Sequence, residues 1–194
     1  RVKLSGARAI VNVDGLEWQR SKWNRLGKSV FKLGAKATAR FATTIISDSE
    51  AMSEIWDRLL RRDSVFIPYG ADIYQSRPTD RIKELGLRSH SYHLVVARLS
   101  PENNVDLILD AYLKTDRLRP LVVVGSANYD TPLTRRLQGL AKHNVRWLGH
   151  VADQELLTDL WAHCTTYLHG HSVGGTNPAL LQALGAGSPT LAFQ

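Results

Sequence analysis

Apolar runs of four or five residues alternate with amphipathic segments along the chain, and this alternation predicts an α/β fold. Runs that are apolar throughout are typical of strands buried on both faces of a parallel sheet. The segments between them predict helices on both faces, as in Rossmann-like folds. In one of these segments, residues 104–113, we expect Leu107, Ile108 and Ala111 to face the core. The predicted strands are residues 9–13, 43–47, 65–68, 93–97, 121–125, 145–148, 165–169 and 190–193.

The alternation is interrupted at residues 72–78, which are typical of a linker. We predict the remnant of an N-terminal Rossmann domain at residues 1–72 and a second Rossmann domain, truncated at its end, at residues 73–194. The first segment supplies three predicted strands, and the chain stops directly after the last strand of the second. We therefore expect the chain to be an internal fragment of a larger two-domain protein.

The composition is that of an ordinary globular protein, with 43 % hydrophobic and 22 % charged residues. Cys164 is the only cysteine, which excludes an intramolecular disulfide and indicates a reducing compartment. The apolar runs fall far short of the roughly 18 residues that a transmembrane helix needs. We therefore expect a cytoplasmic protein.

The positive charge is concentrated near the start of the chain. Residues 1–40 hold ten Lys and Arg against two acids, whereas the whole chain has a net charge of +7. A basic row and an apolar row recur in this segment at helical spacing, which predicts one amphipathic helix. Three interpretations of the basic row stay open: a solvated face, a contact for acidic lipid headgroups or a lipid diphosphate, and a nucleic-acid surface. The basic residues are Arg25, Lys28, Lys32 and Lys36, and the apolar ones are Trp23, Leu26, Val30, Leu33, Ala37 and Phe41.

Candidate ligand-binding residues follow the strands of the second domain, because parallel sheets bind ligands beyond the carboxyl ends of their strands. Arg98 comes after residues 93–97, where a fixed cation suits an anionic ligand; an ion pair with Glu102 is the structural alternative. Glycine-containing turns follow the next strands, and the richest in glycine, residues 169–178, precedes a predicted helix. Backbone amides freed by glycine and a helix N-terminus bind phosphate, although tight turns also require glycine.

Several other kinds of site are disfavoured by the sequence. His169 and His171 are spaced like metal ligands, but no convincing third ligand accompanies them, so we expect no metal. The chain contains neither GxxxxGK nor GxGxxG nor GxSxG. P-loop NTPases, ordinary NAD enzymes and serine hydrolases are therefore disfavoured.

Several segments resemble one known enzyme family. VVARLSPENNVDLILDAY, LVVVGSA, VRWLGHVADQELLTDLWAHCTTYLHG and NPALLQALGAG are similar to the donor-binding half of retaining glycosyltransferase family 4, which has the two-Rossmann GT-B architecture. NVDGLEWQRSKWN, TTIISDSEAM, VFIPYGAD and HGHSVGGTNPALLQAL resemble the bacterial rhamnosyltransferase-type subgroup. The resemblance extends over nearly the whole chain, from about Ile10 to Thr190.

The resemblance implies a role for each matching position. Arg98 would bind the donor diphosphate, and Asp14 and His171 are the other candidate catalytic residues. The acceptor-side candidates are Gly15, Glu17 and Arg20, and the donor-binding candidates are Gly125, Ser126, Gly149, His150, Val151, Gly170, Ser172, Gly174, Gly175, Thr176, Asn177 and Gln182.

The chain departs from the family pattern at three positions. Asn103 stands at the family's lysine, and Gly174 and Gln182 stand at its two glutamates. Gln182 can still hydrogen-bond a hydroxyl but carries no charge. The loop residues that are candidates to take over from the first glutamate are His171, Thr176 and Asn177.

The resemblance implies a retaining hexosyltransferase, with dTDP-rhamnose as the best match among donors. The acceptor would be a hydroxyl of a saccharide or of a polyprenyl-diphosphate-linked oligosaccharide. This chemistry belongs to cell-surface polysaccharide synthesis at the inner face of the cell membrane, and it needs neither metal nor cofactor. Three alternatives stay open: a nucleotide-sugar binder without activity, a nucleotide-sugar epimerase or phosphorylase of the same fold, and a basic nucleic-acid binder.

Overall fold

The computed structural model describes residues 6–13, 15–20, 23–74, 80–127, 131–140, 143–173 and 175–192. The chain forms two compact units. The first takes in the chain up to Gly70 together with Val173–Asn177, and the second consists of Ala71–Ser172 and the residues from Pro178 onward.

The first unit consists of β1 (Ile10–Val13), a 3-10 turn (Glu17–Gln19), α1 (Arg25–Phe41), β2 (Thr44–Ser47), α2 (Glu50–Leu60) and β3 (Val65–Phe66). The three strands form a parallel sheet in the order β1-β2-β3, with Ile10 opposite Thr44. Both helices begin where the sequence supplies a capping side chain. Asn24 accepts a backbone N–H from the first turn of α1, and Ser49 does the same for α2.

One apolar cluster holds the first unit together. Ile45 of β2 and Trp56 of α2 are almost completely buried in it. From α1 the cluster receives Ala35, which is buried, and Ala39, which is partly buried. The helix therefore turns small side chains toward the sheet.

The second unit contains β4 (His93–Val96), β5 (Leu121–Val124), β6 (Val145–Gly149), β7 (Thr166–His169) and β8 (Thr190–Ala192). Its helices are α3 (Arg81–Glu84), α4 (Val105–Leu113), α5 (Pro132–Gly139), α6 (Gln154–Ala162) and α7 (Pro178–Gly185), and a 3-10 turn (Pro101–Asn103) precedes α4. The strands are all parallel, in the order β6-β5-β4-β7-β8. The chain runs outward from β4 to β6 and then returns to the other side of β4. This reversal between β4 and β7 is a topological switch point, where open α/β sheets form ligand-binding crevices.

Alternate side chains of the second sheet enter two apolar clusters. Leu94 and Val122 pack with α6 and α7 on one face, whereas Val95 and Val123 pack with α4 and α5 on the other. Each of these four side chains is almost completely buried. The uniformly apolar runs of the sequence are thus strands covered on both faces, which confirms the predicted Rossmann-like parallel fold.

The predicted inner face of α4 is confirmed for Ile108, which packs against the core, and wrong for Leu107 and Ala111, which are exposed. Leu109 and Tyr112 face the core, whereas Leu107 is 49 % exposed. The helix carries apolar residues at helical spacing on two faces, so the spacing alone did not show which face packs against the sheet. Leu107 and Ala111 instead line an open apolar groove of about 660 Å³ with Leu168 and Leu191. Ile108 lines the same groove and also packs against the core.

None of the helices in the described part of the chain has the length and apolar content needed to cross a bilayer.

Gly125 is required where β5 approaches the end of β4. Its φ is +145°, and a Cβ there would lie 1.8 Å from the carbonyl oxygen of Ala97. We expect Gly125→Ala to lower the free energy of unfolding by about 3 kcal/mol or more, because it adds backbone strain to a clash with main-chain atoms. Chemical denaturation measures this. In the control Gly139→Ala nothing lies within 4 Å of the new Cβ. It should be neutral or slightly stabilising, and equal stability of the two variants would contradict the interpretation.

Candidate functional site

Loops at the carboxyl ends of β6, β5 and β4 are joined by hydrogen bonds. The N–H of Gly125 donates to the carbonyl of Gly149 over 2.7 Å, and the N–H of Leu99 donates to the carbonyl of Ser126 over 3.1 Å. The indole Nε1 of Trp147 donates to the carbonyl of Gly125 over 2.8 Å. The three turns therefore form one connected edge, in which three predicted donor-binding residues take part: Gly125, Ser126 and Gly149.

Arg98 lies at this edge directly after β4, and its side chain is exposed. Within the described part of the chain no acidic side chain forms an ion pair with it, Glu102 included. The Nδ2 of Asn103 donates to the carbonyl of Arg98 over 2.8 Å and fixes the backbone beside the guanidinium. Arg98 is thus a solvent-facing cation on a constrained turn, which suits an anionic ligand.

Asn103 also connects the turn after β4 to His171, 68 residues later. Because the Arg98 carbonyl only accepts, the amide nitrogen of Asn103 must face it, and Asn103 Oδ1 then faces His171 Nδ1 at 2.8 Å. An amide oxygen cannot donate, so Nδ1 of His171 carries the hydrogen. In the neutral ring Nε2 is consequently the nitrogen that can accept a proton.

The first part of the glycine-rich loop, residues 170–172, is held against the same turn. Asn104 Nδ2 donates to the carbonyl of Gly170 over 2.8 Å, and the N–H of Ser172 donates to the carbonyl of Glu102 over 3.0 Å. A Cβ on Gly170 would lie 2.3 Å from the carbonyl oxygen of Asn103, so only glycine fits. The hydroxyl of Ser172 also donates to Glu102. Ser172 thus shapes the loop through contacts within the protein.

The later part of the loop belongs to the first unit, and it is held there by Asp48. The N–H of Thr176 donates to Asp48 Oδ2, and the hydroxyl of Thr176 donates to the Asp48 carbonyl, both over 3.0 Å. Asp48 follows β2 and is buried. Gly175 and Asn177 are half-buried beside Thr176, whereas Gly174 lies outside the described residues. The sequence analysis did not identify Asp48, since no local pattern relates residues 128 positions apart.

Three further candidates occupy separate places in the second unit. His150 is exposed after β6, whereas the neighbouring Val151 packs against the apolar cluster beneath α6. Gln182 is exposed on α7.

His169 differs from His171 because it is buried at the end of β7. Burial holds its pKa below the ordinary value of 6.5, and the nearby His171 ring adds to that shift. The Tyr167 hydroxyl lies 3.2 Å from His169 Nδ1. Across the described residues no three His, Cys, Asp or Glu side chains group as metal ligands.

On the predicted acceptor side, Glu17 and Arg20 engage each other. Arg20 Nε lies 2.8 Å from Glu17 Oε1, and the indole of Trp23 donates to Glu17 Oε2 over 2.9 Å. Gly15 is half-buried just before the 3-10 turn. Asp14, the third predicted catalytic residue, lies outside the described residues.

Two family models match the sequence. The model described as "Glycosyl transferases group 1" matches residues 90–194, and the model described as "Domain of unknown function (DUF1972)" matches residues 1–72. No curated protein matches the chain.

Several solved structures have the same fold. HepE of Anabaena in complex with UDP-glucose has a TM-score of 0.79 at 19 % identity, over 98 % of this chain and 54 % of its own. Sucrose-phosphate synthase of Thermosynechococcus elongatus has a TM-score of 0.79 at 17 % identity, over 98 % and 52 %. The pneumococcal O-GlcNAc transferase GtfA, in complex with UDP and GlcNAc, has a TM-score of 0.68 at 16 % identity, over 96 % and 37 %. The chain thus spans about half the length of HepE, and these likenesses support a GT-B fold.

Asn103 offers a direct test of the site geometry. We expect nitrogen NMR of the imidazoles to show neutral His171 with its hydrogen on Nδ1, because Asn103 Oδ1 accepts it. In Asn103→Leu this preference should disappear, and the free energy of unfolding should fall by about 1–3 kcal/mol because the hydrogen bond to the Arg98 carbonyl is lost. Asn103→Asp is the matched control for the tautomer alone, since it keeps an acceptor beside Nδ1 but cannot donate to the Arg98 carbonyl. A predominant Nε2–H form in the unmodified chain would overturn the assignment.

Proposed function

Because the chain belongs to the glycosyl transferases group 1 family through residues 90–194, we propose that it binds a nucleoside-diphosphate sugar beyond the carboxyl ends of β4–β7. The protein then transfers the sugar to an acceptor hydroxyl. The main support for this proposal is that Arg98 and His171, 73 positions apart in the sequence, both lie at the switch point of the second sheet. Arg98 lies after β4, and His171 lies after β7 in direct contact with the turn that follows Arg98. A cation on a constrained turn beside a glycine-rich loop suits a diphosphate, whose oxygens accept hydrogen bonds.

The proposed reaction breaks the bond between the anomeric carbon of the sugar and the diphosphate oxygen. The acceptor oxygen forms the new bond to that carbon, and its proton passes to the departing diphosphate. Negative charge grows on that diphosphate in an oxocarbenium-like transition state, so Arg98 would stabilise it electrostatically. We propose that the acceptor attacks from the face that the diphosphate leaves, which retains the anomeric configuration, and that no metal takes part.

For the donor we propose dTDP-rhamnose, on the resemblance to rhamnosyltransferases, with a UDP-hexose as the competing donor. The UDP-hexose is supported by HepE and GtfA, whose structures hold UDP-glucose and UDP with GlcNAc. The exposed amide of Gln182 is a candidate partner for a sugar hydroxyl of the nucleotide. The two donors differ in base and hexose, so a panel of dTDP, UDP, GDP and their sugars distinguishes them.

The proposed acceptor is a saccharide or a polyprenyl-diphosphate-linked oligosaccharide. The first unit would receive it, near Gly15 and the linked pair Glu17 and Arg20. Such an acceptor is made at a membrane surface, which agrees with the basic character of the first forty residues.

A nucleotide-sugar binder without transferase activity is the second candidate. Two observations favour it. The Ser172 hydroxyl and the Thr176 N–H donate to other groups of the protein, which leaves these donors engaged, and Gln182 carries no charge. Both candidates predict donor binding. They differ in product, because only the transferase consumes the donor when an acceptor is present.

Arg98→Ala tests the proposed diphosphate contact. Loss of a charge-assisted hydrogen bond of about 1.5–3 kcal/mol should weaken nucleotide-sugar binding by about tenfold to a hundredfold. Isothermal titration calorimetry with the donor panel measures the dissociation constant. The matched control is Arg88→Ala, which removes an exposed arginine ahead of β4, at the opposite end of that strand. Equal affinity of Arg98→Ala and the unmodified chain would remove Arg98 from the site.

A further inference from the structure

The indole of Trp147 holds the peptide group that joins Gly125 to Ser126, directly after β5. Its Nε1 donates to the carbonyl of Gly125 over 2.8 Å, and the side chain packs against the apolar cluster on the α4 and α5 face of the sheet. An indole N–H can only donate, so the carbonyl oxygen of Gly125 must face the ring. Packing of the ring therefore fixes the direction of a backbone carbonyl at the carboxyl edge of the sheet.

A bulge in β6 lies beside this contact. Val123 of β5 pairs with Trp147, whereas Val124 pairs with Gly149, so Leu148 has no counterpart on β5. Bulges of this kind change the direction of nearby side chains and are common next to binding sites. Here the bulge leaves the side chain of Trp147 and the carbonyl of Gly149 both in contact with Gly125.

Hydrogen bonds within the protein engage most polar groups of this turn. The N–H of Gly125 donates to Gly149, the carbonyl of Gly125 accepts from Trp147, and the carbonyl of Ser126 accepts from Leu99. Among the hydrogen bonds of the described residues, none uses the N–H of Ser126.

The direction of the Ser126 N–H follows from the contact with Trp147. In a trans peptide the carbonyl and the following N–H point in opposite directions. Because the indole holds the carbonyl of Gly125, the N–H of Ser126 points away from the ring and from the apolar cluster. A fixed N–H of this kind binds an acceptor without first having to be ordered.

Ser126 and Arg98 occupy equivalent positions on neighbouring strands. Val96 of β4 pairs with Val124 of β5, and Arg98 and Ser126 each lie two residues further on. The N–H of Leu99 donates to the carbonyl of Ser126 over 3.1 Å and joins the two turns. A backbone N–H next to a guanidinium suits an anionic oxygen, because hydrogen bonds to ionised acceptors are the strong ones.

We propose that Trp147 is a positioning residue for nucleotide binding, and that it directs the N–H of Ser126 toward a phosphate oxygen of the nucleoside diphosphate. The inference rests on the proposed function and names a second protein group, besides Arg98, that binds the diphosphate. Trp147 acts through the peptide group that it holds, and it does not itself touch the nucleotide.

Burial of the ring does not by itself explain the hydrogen bond of Trp147. The indole nitrogens of Trp56 and Trp161 are buried, and neither has a hydrogen-bond partner among the described residues. The protein therefore tolerates a buried indole N–H without a partner. Trp161 belongs to the same unit as Trp147 and supplies a matched control, since its replacement removes an indole but no hydrogen bond.

Isothermal titration calorimetry of Trp147→Phe with UDP and dTDP tests the inference. We expect the dissociation constant to rise roughly threefold to tenfold, because the Ser126 N–H loses its fixed direction but is still present. Trp161→Phe should bind like the unmodified chain. Circular dichroism checks that both variants are folded.

An isosteric replacement separates the hydrogen bond from the shape of the ring. 3-Benzothienylalanine at position 147 has the outline of an indole with sulfur in place of the N–H. It keeps the packing of the ring, so the fold should survive, and it should weaken nucleotide binding as much as Trp147→Phe does.

NMR of the nitrogen-labelled chain gives a readout at Ser126 itself. The amide proton of Ser126 should move downfield on titration with the tighter-binding of UDP and dTDP, because a bond to a phosphate oxygen deshields it. The corresponding nucleoside, which has no phosphate, should not produce this shift. The shift at saturation should be smaller in Trp147→Phe.

Three outcomes would remove Trp147 from the site while the proposed function stands. They are unchanged affinity in both replacements at position 147 when Arg98→Ala weakens binding, equal weakening in Trp161→Phe, and a Ser126 amide that responds alike to nucleotide and nucleoside. If the unmodified chain binds no nucleotide in calorimetry, the proposed function fails and this inference fails with it.

Discussion

The candidate site depends on the close contact between the turn after β4 and the loop after β7. Gly170 approaches the Asn103 carbonyl so closely that no side chain fits between them. Hydrogen bonds from Asn104 and Ser172 hold the two segments in that position. Because β4 and β7 are the strands at which the sheet reverses its order, this contact closes one side of the crevice that the reversal opens.

Most polar groups at this edge are backbone N–H and C=O groups held in place by hydrogen bonds, and Arg98 is its exposed charged side chain. Ser172 and Thr176 direct their donors into the protein, so they shape the glycine-rich loop. Among the described residues of this edge, the guanidinium of Arg98 is exposed, and the tautomer of the half-buried His171 ring is set by Asn103. A preorganised site of this kind would stabilise charge on a leaving group without reorganising at the moment of reaction.

Helix α1 packs on the first sheet through small side chains and exposes its larger apolar ones. The side chains that pack against the first sheet are small, whereas Leu26, Val30 and Leu33 stay in water.

The sequence by itself determined the strands, most helices and the parallel α/β class, because hydrophobic period and capping residues are local properties. It also located Arg98 and the glycine-rich loop after strands, and the carboxyl ends of parallel strands lie at the same edge of a sheet. Only the tertiary structure decided which apolar faces of α1 and α4 are buried, because both helices carry hydrophobic residues at helical spacing on two sides. It alone paired Asn103 with His171, and Asp48 with Thr176, 68 and 128 residues apart. Such contacts depend on how the chain closes upon itself, which no local pattern records.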